Sequence, residues 1–78
     1  MNALKLYRLQ ADMTGVELAK VIKVHASYIS HIETYNTVAE RYAKKIARVL
    51  RLEVEDIFEE AGRPGRLRAR NINVKVKI

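Results

Sequence analysis

The fold is decided by the stretch VELAKVIKVHASYISHIE, residues 16–33, in which a three-residue break at 23–25 separates two segments with helical spacing of apolar residues. In the second segment, an advance of ~100° per residue places Ile29 and Ile32 on one face, which we expect to be buried. The opposite face carries short polar side chains, namely Ser27, His31 and Thr34, with Tyr28 and Ser30 on its flanks. The stretch therefore predicts two consecutive helices, the second of which exposes a polar and nearly uncharged ridge.

The chain is short, with 78 residues and a mass of 9.0 kDa, which allows a single domain with a small core. It contains no cysteine, so disulfides, thiolate metal sites and cysteine nucleophiles are excluded. No uncharged run approaches the ~20 apolar residues that a membrane span needs. We therefore expect a soluble, cytoplasmic chain with no membrane contact.

The net charge of +6 is unevenly distributed. Residues 1–60 contain nine basic and nine acidic side chains, whereas residues 61–78 contain six basic side chains and no acidic one. The motif Gly62-Arg63-Pro64-Gly65 separates the two parts and stops any helix. We therefore predict a helical domain at residues 1–61, a basic Gly/Pro/Arg linker at 62–70 and a strand at 71–78.

Apolar spacing predicts five helices in the first 61 residues. The first ends near Asp12, and the runs Thr14–Glu17 and Thr37–Glu40 have the capping-box pattern that opens the second and fourth helices. The last helix is predicted from about Val54 to Ala61. So many helices in so short a chain leave no room for a catalytic cleft, so we expect neither an enzyme nor a cofactor.

Four short runs, in this order, resemble the Cro/lambda-repressor (XRE-type) helix-turn-helix family: Leu18-Ala19, Lys23-Val24, Ile29-Ser30-His31-Ile32-Glu33 and Ile46-Ala47-Arg48-Val49-Leu50. The resemblance covers roughly Leu4 to Phe58. It implies an all-α, five-helix, lambda-repressor-like fold, here with a C-terminal β-strand extension. It also implies that the partner is double-stranded DNA and that the third helix lies in the major groove.

The resemblance also assigns roles to individual residues. Its base-reading positions fall on Ala26, Ser27, Tyr28 and His31, with Ser30 as a further candidate, and the helical geometry adds Thr34. Its phosphate-binding positions fall on Thr14 and Gly15 at the N-terminus of the second helix. They also fall on Tyr35, Asn36 and Thr37, which precede the fourth helix. The pair Arg8 and Glu33 matches a family salt bridge between helices one and three, which implies a structural role.

Three features depart from the family pattern. Lys23 stands in the turn where relatives favour glycine, so a left-handed backbone there would cost roughly 1 kcal/mol. His25 replaces the usual Ser or Thr that caps the third helix. The loop from Glu33 to Thr37 is shorter than the common form and lacks its Gly and Pro.

The C-terminal segment has the alternation of a half-buried strand, with apolar residues at Ile72, Val74, Val76 and Ile78. A lone strand of this kind is unstable, so we expect it to pair with a second copy and form a symmetric dimer. Alternatively, a flexible arm could place arginines on DNA: Arg63, Arg66, Arg68 and Arg70. A third alternative is a partner protein for this tail, or a disordered tail.

These features together predict a sequence-specific, double-stranded DNA-binding regulator, with a dimeric repressor of an inverted-repeat operator as the leading hypothesis. The alternative is an antitoxin-type or other protein-interaction module whose C-terminal strand pairs with a partner protein. Non-specific coating of nucleic acid is a third hypothesis. The two histidines are six residues apart with no cysteine nearby, so no metal site is expected.

Overall fold

Five helices form the body of the protein in a computed structural model that describes residues 2–72. They are α1 (Ala3–Gln10), α2 (Gly15–Ile22), α3 (Ala26–Tyr35), α4 (Glu40–Leu50) and α5 (Val54–Ile57). The predicted number and order of helices are therefore confirmed. No helix within residues 2–72 has the length and hydropathy of a membrane span.

Three short strands join these helices in one antiparallel sheet, so the all-α expectation is not strictly confirmed, whereas the C-terminal strands fit the expected β-strand extension. They are β1 (Val38–Ala39), β2 (Phe58–Glu60) and β3 (Arg66–Ala69), in the order β1-β3-β2. Val38 lies opposite Leu67 on one side of β3, and Phe58 lies opposite Ala69 on the other. The C-terminal part of the chain thus adds the central strand of the sheet.

The segment predicted as a linker, residues 62–70, is instead a tight turn followed by β3. Gly62 and Gly65 have φ values of 76° and 73°, a region that only glycine adopts without strain, and they close the connection between β2 and β3. Leu67 and Ala69 then point toward the core while Arg66 and Arg68 are exposed. The Gly62-Arg63-Pro64-Gly65 motif therefore forms the turn of a β-hairpin and does not act as a flexible spacer.

Sheet formation also explains two wrong predictions of helix boundaries. Helix α5 ends at Ile57, well before the predicted Ala61, because the next three residues pair with β3. Helix α4 begins at Glu40 with Ala39 as its N-cap, and no side chain caps it. The predicted capping box at Thr37–Glu40 is absent because residues 38 and 39 are extended in β1.

The core is formed by apolar residues from all five helices and from the sheet. Its largest fully buried side chains are Leu4, Leu18, Ile29, Ile32, Val38, Ile46, Ile57 and Phe58. Burial of such side chains stabilises the fold by about 1.5–3 kcal/mol each. Because Val38 and Phe58 belong to β1 and β2, the sheet closes one side of the helical core.

Helix α2 and the turn that follows it have the local geometry that their sequence suggests. At the start of α2, Thr14 forms the predicted capping box, in which its hydroxyl accepts from the N–H of Glu17 at 3.1 Å. Lys23 is left-handed, with φ 61° and ψ 50°. His25 is the N-cap of α3 but makes no side-chain hydrogen bond there. The end of α2 is nevertheless capped by its backbone, because the N–H of Val24 donates to the carbonyl of Ala19 at 2.9 Å.

Arg8 of α1 connects three parts of the molecule. Its guanidinium contacts the carboxylate of Glu33 in α3, with nitrogen–oxygen distances of 3.0 Å. The same guanidinium donates to the carbonyl of Met13 in the α1–α2 loop at 2.9 Å. Both side chains of the ion pair are largely buried, with 11% and 16% exposure. This contact therefore fixes α3 against α1.

The two ends of the described chain meet beside the sheet. The N–H of Ala3 donates to the carbonyl of Arg70 at 2.7 Å, and Asn2 forms an isolated antiparallel bridge with Asn71. Ile72 packs against the core. The remaining residues of the predicted dimer strand, including Val74, Val76 and Ile78, lie outside the described residues.

Candidate nucleic-acid interface

Helix α3 presents a continuous exposed ridge of short polar side chains. The ridge consists of Ser27, Ser30, His31 and Thr34, all of which are exposed. On the opposite face, Ile29 and Ile32 are 1% and 0% exposed and anchor the helix in the core. The helical periodicity therefore places the predicted base-reading ridge on the surface.

An aromatic contact organises the C-terminal half of this ridge. The rings of His31 and Tyr35 have centroids 4.8 Å apart and an interplanar angle of 45°. Tyr35 is 68% exposed, so the pair stands at the surface where α3 ends. This contact between the two rings limits the rotamers of His31.

Within residues 2–72 no group of three His, Cys, Asp or Glu side chains could hold a metal ion.

Tyr28 and Ala26 are only partly exposed, in contrast to the ridge. The hydroxyl of Tyr28 accepts from the backbone N–H of Ala39 at 3.3 Å. Its ring meets that of Tyr42 edge to face, with centroids 5.2 Å apart. Ala26 packs against the core. Tyr28 therefore links α3 to the start of α4, and its hydroxyl proton is still able to donate outward.

The N-terminus of α2 contributes backbone groups close to α3. The first helical turn leaves N–H groups without an intrahelical acceptor, which favours an anion. A Cβ added at Gly15 would lie 3.6 Å from Cγ2 of Ile29, an ordinary van der Waals contact. The position therefore has space for a side chain, although glycine offers only its backbone.

The loop between α3 and α4 is held more tightly than its sequence suggests. Asn36 is left-handed, with φ 57°, and its backbone N–H donates to the carbonyl of Ile32 at 2.8 Å. Its side-chain carbonyl accepts from the amide of Asn2. The bound oxygen is an acceptor, so the side-chain NH2 of Asn36 and the hydroxyls of Tyr35 and Thr37 are donors that this loop can offer to a phosphate.

A basic cleft between the starts of α3 and α4 was not predicted from the sequence. It is lined by Lys23, Val24, His25, Tyr28, Ala39, Arg41, Tyr42 and Arg66. The guanidinium of Arg41 lies 4.8 Å from the centre of the Tyr42 ring. A usable signal was the position of Arg41, which follows the predicted phosphate loop by four residues.

The four arginines of the predicted arm are held by the fold, so the expectation of a flexible arm is wrong. Arg66 and Arg68 lie on β3, and Arg68 pairs with Glu59 at 3.3 Å. Arg70 donates to the carbonyl of Glu55 at 2.7 Å. Arg63 lies in the turn before β3. Pairing with β1 and β2 places this basic segment beside the end of α3.

The comparisons with known proteins agree with this arrangement. A family model described as helix-turn-helix matches residues 4–57, which is more than half of the chain. No match was found among the curated proteins or the solved structures. The family match confirms the resemblance to Cro and lambda repressor, and with it double-stranded DNA as the ligand. The chain belongs to the XRE-type helix-turn-helix family of DNA-binding regulators.

Proposed function

We propose that this chain is a repressor that acts in the cytoplasm by occupying a specific DNA operator, with α3 in the major groove. The observation that carries the proposal is the exposed polar ridge of α3 opposite its buried Ile29 and Ile32. Members of the family are typically non-enzymatic, and the match favours a DNA-binding regulator over the antitoxin-type alternative.

The dimensions and chemistry of α3 suit this task. Its ten residues span about 15 Å, and a major groove about 12 Å wide admits such a helix. Ser27 and His31 lie one turn apart at the centre of the ridge and are the primary base readers. Serine both donates and accepts, so it can contact either kind of base edge. Further contacts come from residues around them: Ala26, Tyr28, Ser30 and Thr34.

Phosphate contacts on both sides of α3 would hold it in the groove. Before it, the N-terminus of α2 at Thr14 and Gly15 offers backbone N–H groups and the positive end of the helix dipole. After it, the loop Tyr35–Thr37 follows the groove wall. Such contacts fix the register of the helix on the duplex without reading its sequence.

We propose that the repressor is a dimer formed through the strand at residues 71–78. Its support is the alternation of Ile72, Val74, Val76 and Ile78 in the sequence. Because β3 is part of the folded sheet, the test is a truncation after Ile72, which preserves β3. We expect sedimentation equilibrium to give a dimer for the full chain and a monomer for the truncated one. A truncated chain that remains dimeric would exclude this strand as the interface.

The operator itself is found by selection from a random duplex pool at near-physiological salt, using the full-length protein. A dimeric reader is expected to enrich an inverted repeat whose half-sites lie about 34 Å apart, one turn of DNA. Enrichment of a single half-site would support a monomeric reader. Binding without any enrichment would contradict the proposal and indicate a non-specific nucleic-acid binder.

A further inference from the structure

We propose that the turn before β3 and the outward face of this strand bind a backbone phosphate of the DNA next to the operator half-site, through Arg63 and Arg66. The proposal rests on the function proposed above, since it requires α3 to lie in the major groove. It adds a second phosphate-binding element, formed by the sheet, to the contacts expected from the helices.

The sheet register gives the position of this element relative to α3. The loop after α3 leads into β1, and Ala39 of β1 lies directly opposite Arg66 of β3. Neighbouring strands are about 4.8 Å apart, so Arg66 lies one strand spacing beyond the residues that follow α3. A helix in the groove places its following loop at the phosphate wall, and β3 is therefore the next element along that wall.

An open cleft connects the arginines to the end of α3. Its volume is ≈ 500 Å³, and its lining includes Tyr35 at the end of α3 and Thr37 in the loop that follows. The lining also includes three arginines, Arg63, Arg66 and Arg68, and one acid, Glu59. Arg66 also lines the basic cleft with Lys23 and Arg41. The two clefts therefore share Arg66 and form one basic strip: Lys23, Arg41, Arg66 and Arg63.

The three arginines that line the open cleft differ in how far their charges are neutralised. Glu59 pairs with Arg68, which removes that arginine as a strong phosphate ligand. Within residues 2–72, Arg63 and Arg66 have no carboxylate within ion-pair distance. Glu40 and Glu60 line a neighbouring cleft with them but do not bond to them. Among the three arginines that line the open cleft, Arg63 and Arg66 are therefore the two left to an external anion.

The backbone around these arginines is already ordered. The N–H of Arg66 donates to the carbonyl of Arg63 at 3.3 Å, and the N–H of Glu40 donates to the carbonyl of Gly65 at 3.0 Å. An ordered turn loses less conformational entropy on binding than the flexible arm expected from the sequence.

The test compares Arg63→Gln with Arg66→Gln against a charge-matched control, Arg48→Gln with Arg51→Gln. The control residues lie at the C-terminal end of α4, about 10–15 Å along the helix from its start. Affinity for the selected operator and for random duplex is measured between 50 and 200 mM salt. Loss of the one phosphate contact should reduce the slope of log K against log salt by about 0.9, so the wild type should lose roughly three- to fourfold more affinity over this range than the variant.

We expect equal losses on specific and random DNA, because phosphate contacts carry no sequence information. The control pair should change the salt slope less than Arg63→Gln with Arg66→Gln does. Arg63→Lys with Arg66→Lys keeps both charges and should therefore have nearly the wild-type slope. Circular dichroism verifies that each variant is folded. A folded glutamine variant with the same slope as the control would overturn this proposal, even where the wild type selects an operator. A wild-type chain that binds no duplex would overturn both this proposal and the proposed function.

A second measurement locates the contact on the DNA. Methylphosphonates neutralise single phosphates flanking the half-site, one position at a time. At the contacted position the wild type should lose affinity and the glutamine variant should lose almost none. Losses that are equal for the two proteins at every flanking position would overturn the assignment.

Discussion

The hydroxyl of Tyr28 in α3 accepts a hydrogen bond from the backbone N–H of Ala39, the N-cap residue of α4. This contact is partly buried and connects the proposed reading helix to both β1 and α4. Tyr28→Phe should lower the free energy of unfolding by about 1 kcal/mol, because the N–H of Ala39 loses its acceptor. Urea denaturation measures the effect. The exposed Tyr35→Phe serves as the control and should change stability by less than about 0.5 kcal/mol. Equal effects of the two substitutions would contradict this role.

The ion pair between Arg8 and Glu33 should contribute far more to stability than the exposed pair between Glu40 and Lys44. The first pair is largely buried, whereas the side chains of Lys44 and Glu40 are 65% and 50% exposed. Glu33→Gln should therefore cost about 1–3 kcal/mol, because it leaves the guanidinium of Arg8 buried without its charge partner. Glu40→Gln should cost less than about 0.5 kcal/mol. The midpoints of urea denaturation of the two variants test this difference. Equal shifts for Glu33→Gln and Glu40→Gln would show that the buried pair contributes no more than the exposed one.

The left-handed backbone of Lys23 should make this residue a site where stability and DNA affinity respond in opposite directions. Lys23→Gly relieves the strain of φ 61° and should stabilise the protein by about 1 kcal/mol. The same change removes a cation of the basic strip, so affinity for DNA should fall. Lys20→Gly, within α2, is the matched control and should destabilise by about 0.5–1 kcal/mol. Thermal unfolding measures both changes. A shift of the melting temperature in the same direction for Lys23→Gly and Lys20→Gly would contradict the strain at Lys23.

The turn between β2 and β3 depends on the conformation of its glycines. Gly65→Ala should destabilise the protein by about 1 kcal/mol, because a Cβ at φ 73° is strained although nothing lies within 4 Å of it. Gly15→Ala should be neutral or slightly stabilising, since its added Cβ makes only an ordinary contact with Ile29. Denaturant titration of the two variants should show this ordering. The reverse ordering would exclude backbone strain as the cause.

The helices and the polar ridge could be predicted from the sequence because their signals are local. The spacing of Ile29 and Ile32 fixes the buried face of α3, and that face determines the opposite one. The capping box at Thr14–Glu17 similarly marks the start of α2. Each of these signals lies within a few residues, so periodicity and capping rules are sufficient to detect it.

The sheet could not be predicted because it depends on contacts between distant short segments. Strand β1 contains only Val38 and Ala39, too short for an alternation pattern. The run Phe58–Glu60 reads equally well as the end of a helix. Only the pairing of these segments with Arg66–Ala69 gives them extended structure. The position of Arg66 has the same cause: the sequence offered it only as one of four arginines of a flexible arm, whereas the β1–β3 register places it opposite Ala39.

The ridge of α3 is proposed to read the bases of the operator. The most direct measurement is the affinity of Ser27→Ala and His31→Ala for the selected operator and for random duplex, with Gln10→Ala on α1 as a surface control. Each lost base contact should cost about 1–3 kcal/mol on the operator and leave affinity for random DNA nearly unchanged. The preference at one base pair should also relax. Equal losses on operator and random DNA, or no loss on either, would contradict the claim that α3 is the reading helix.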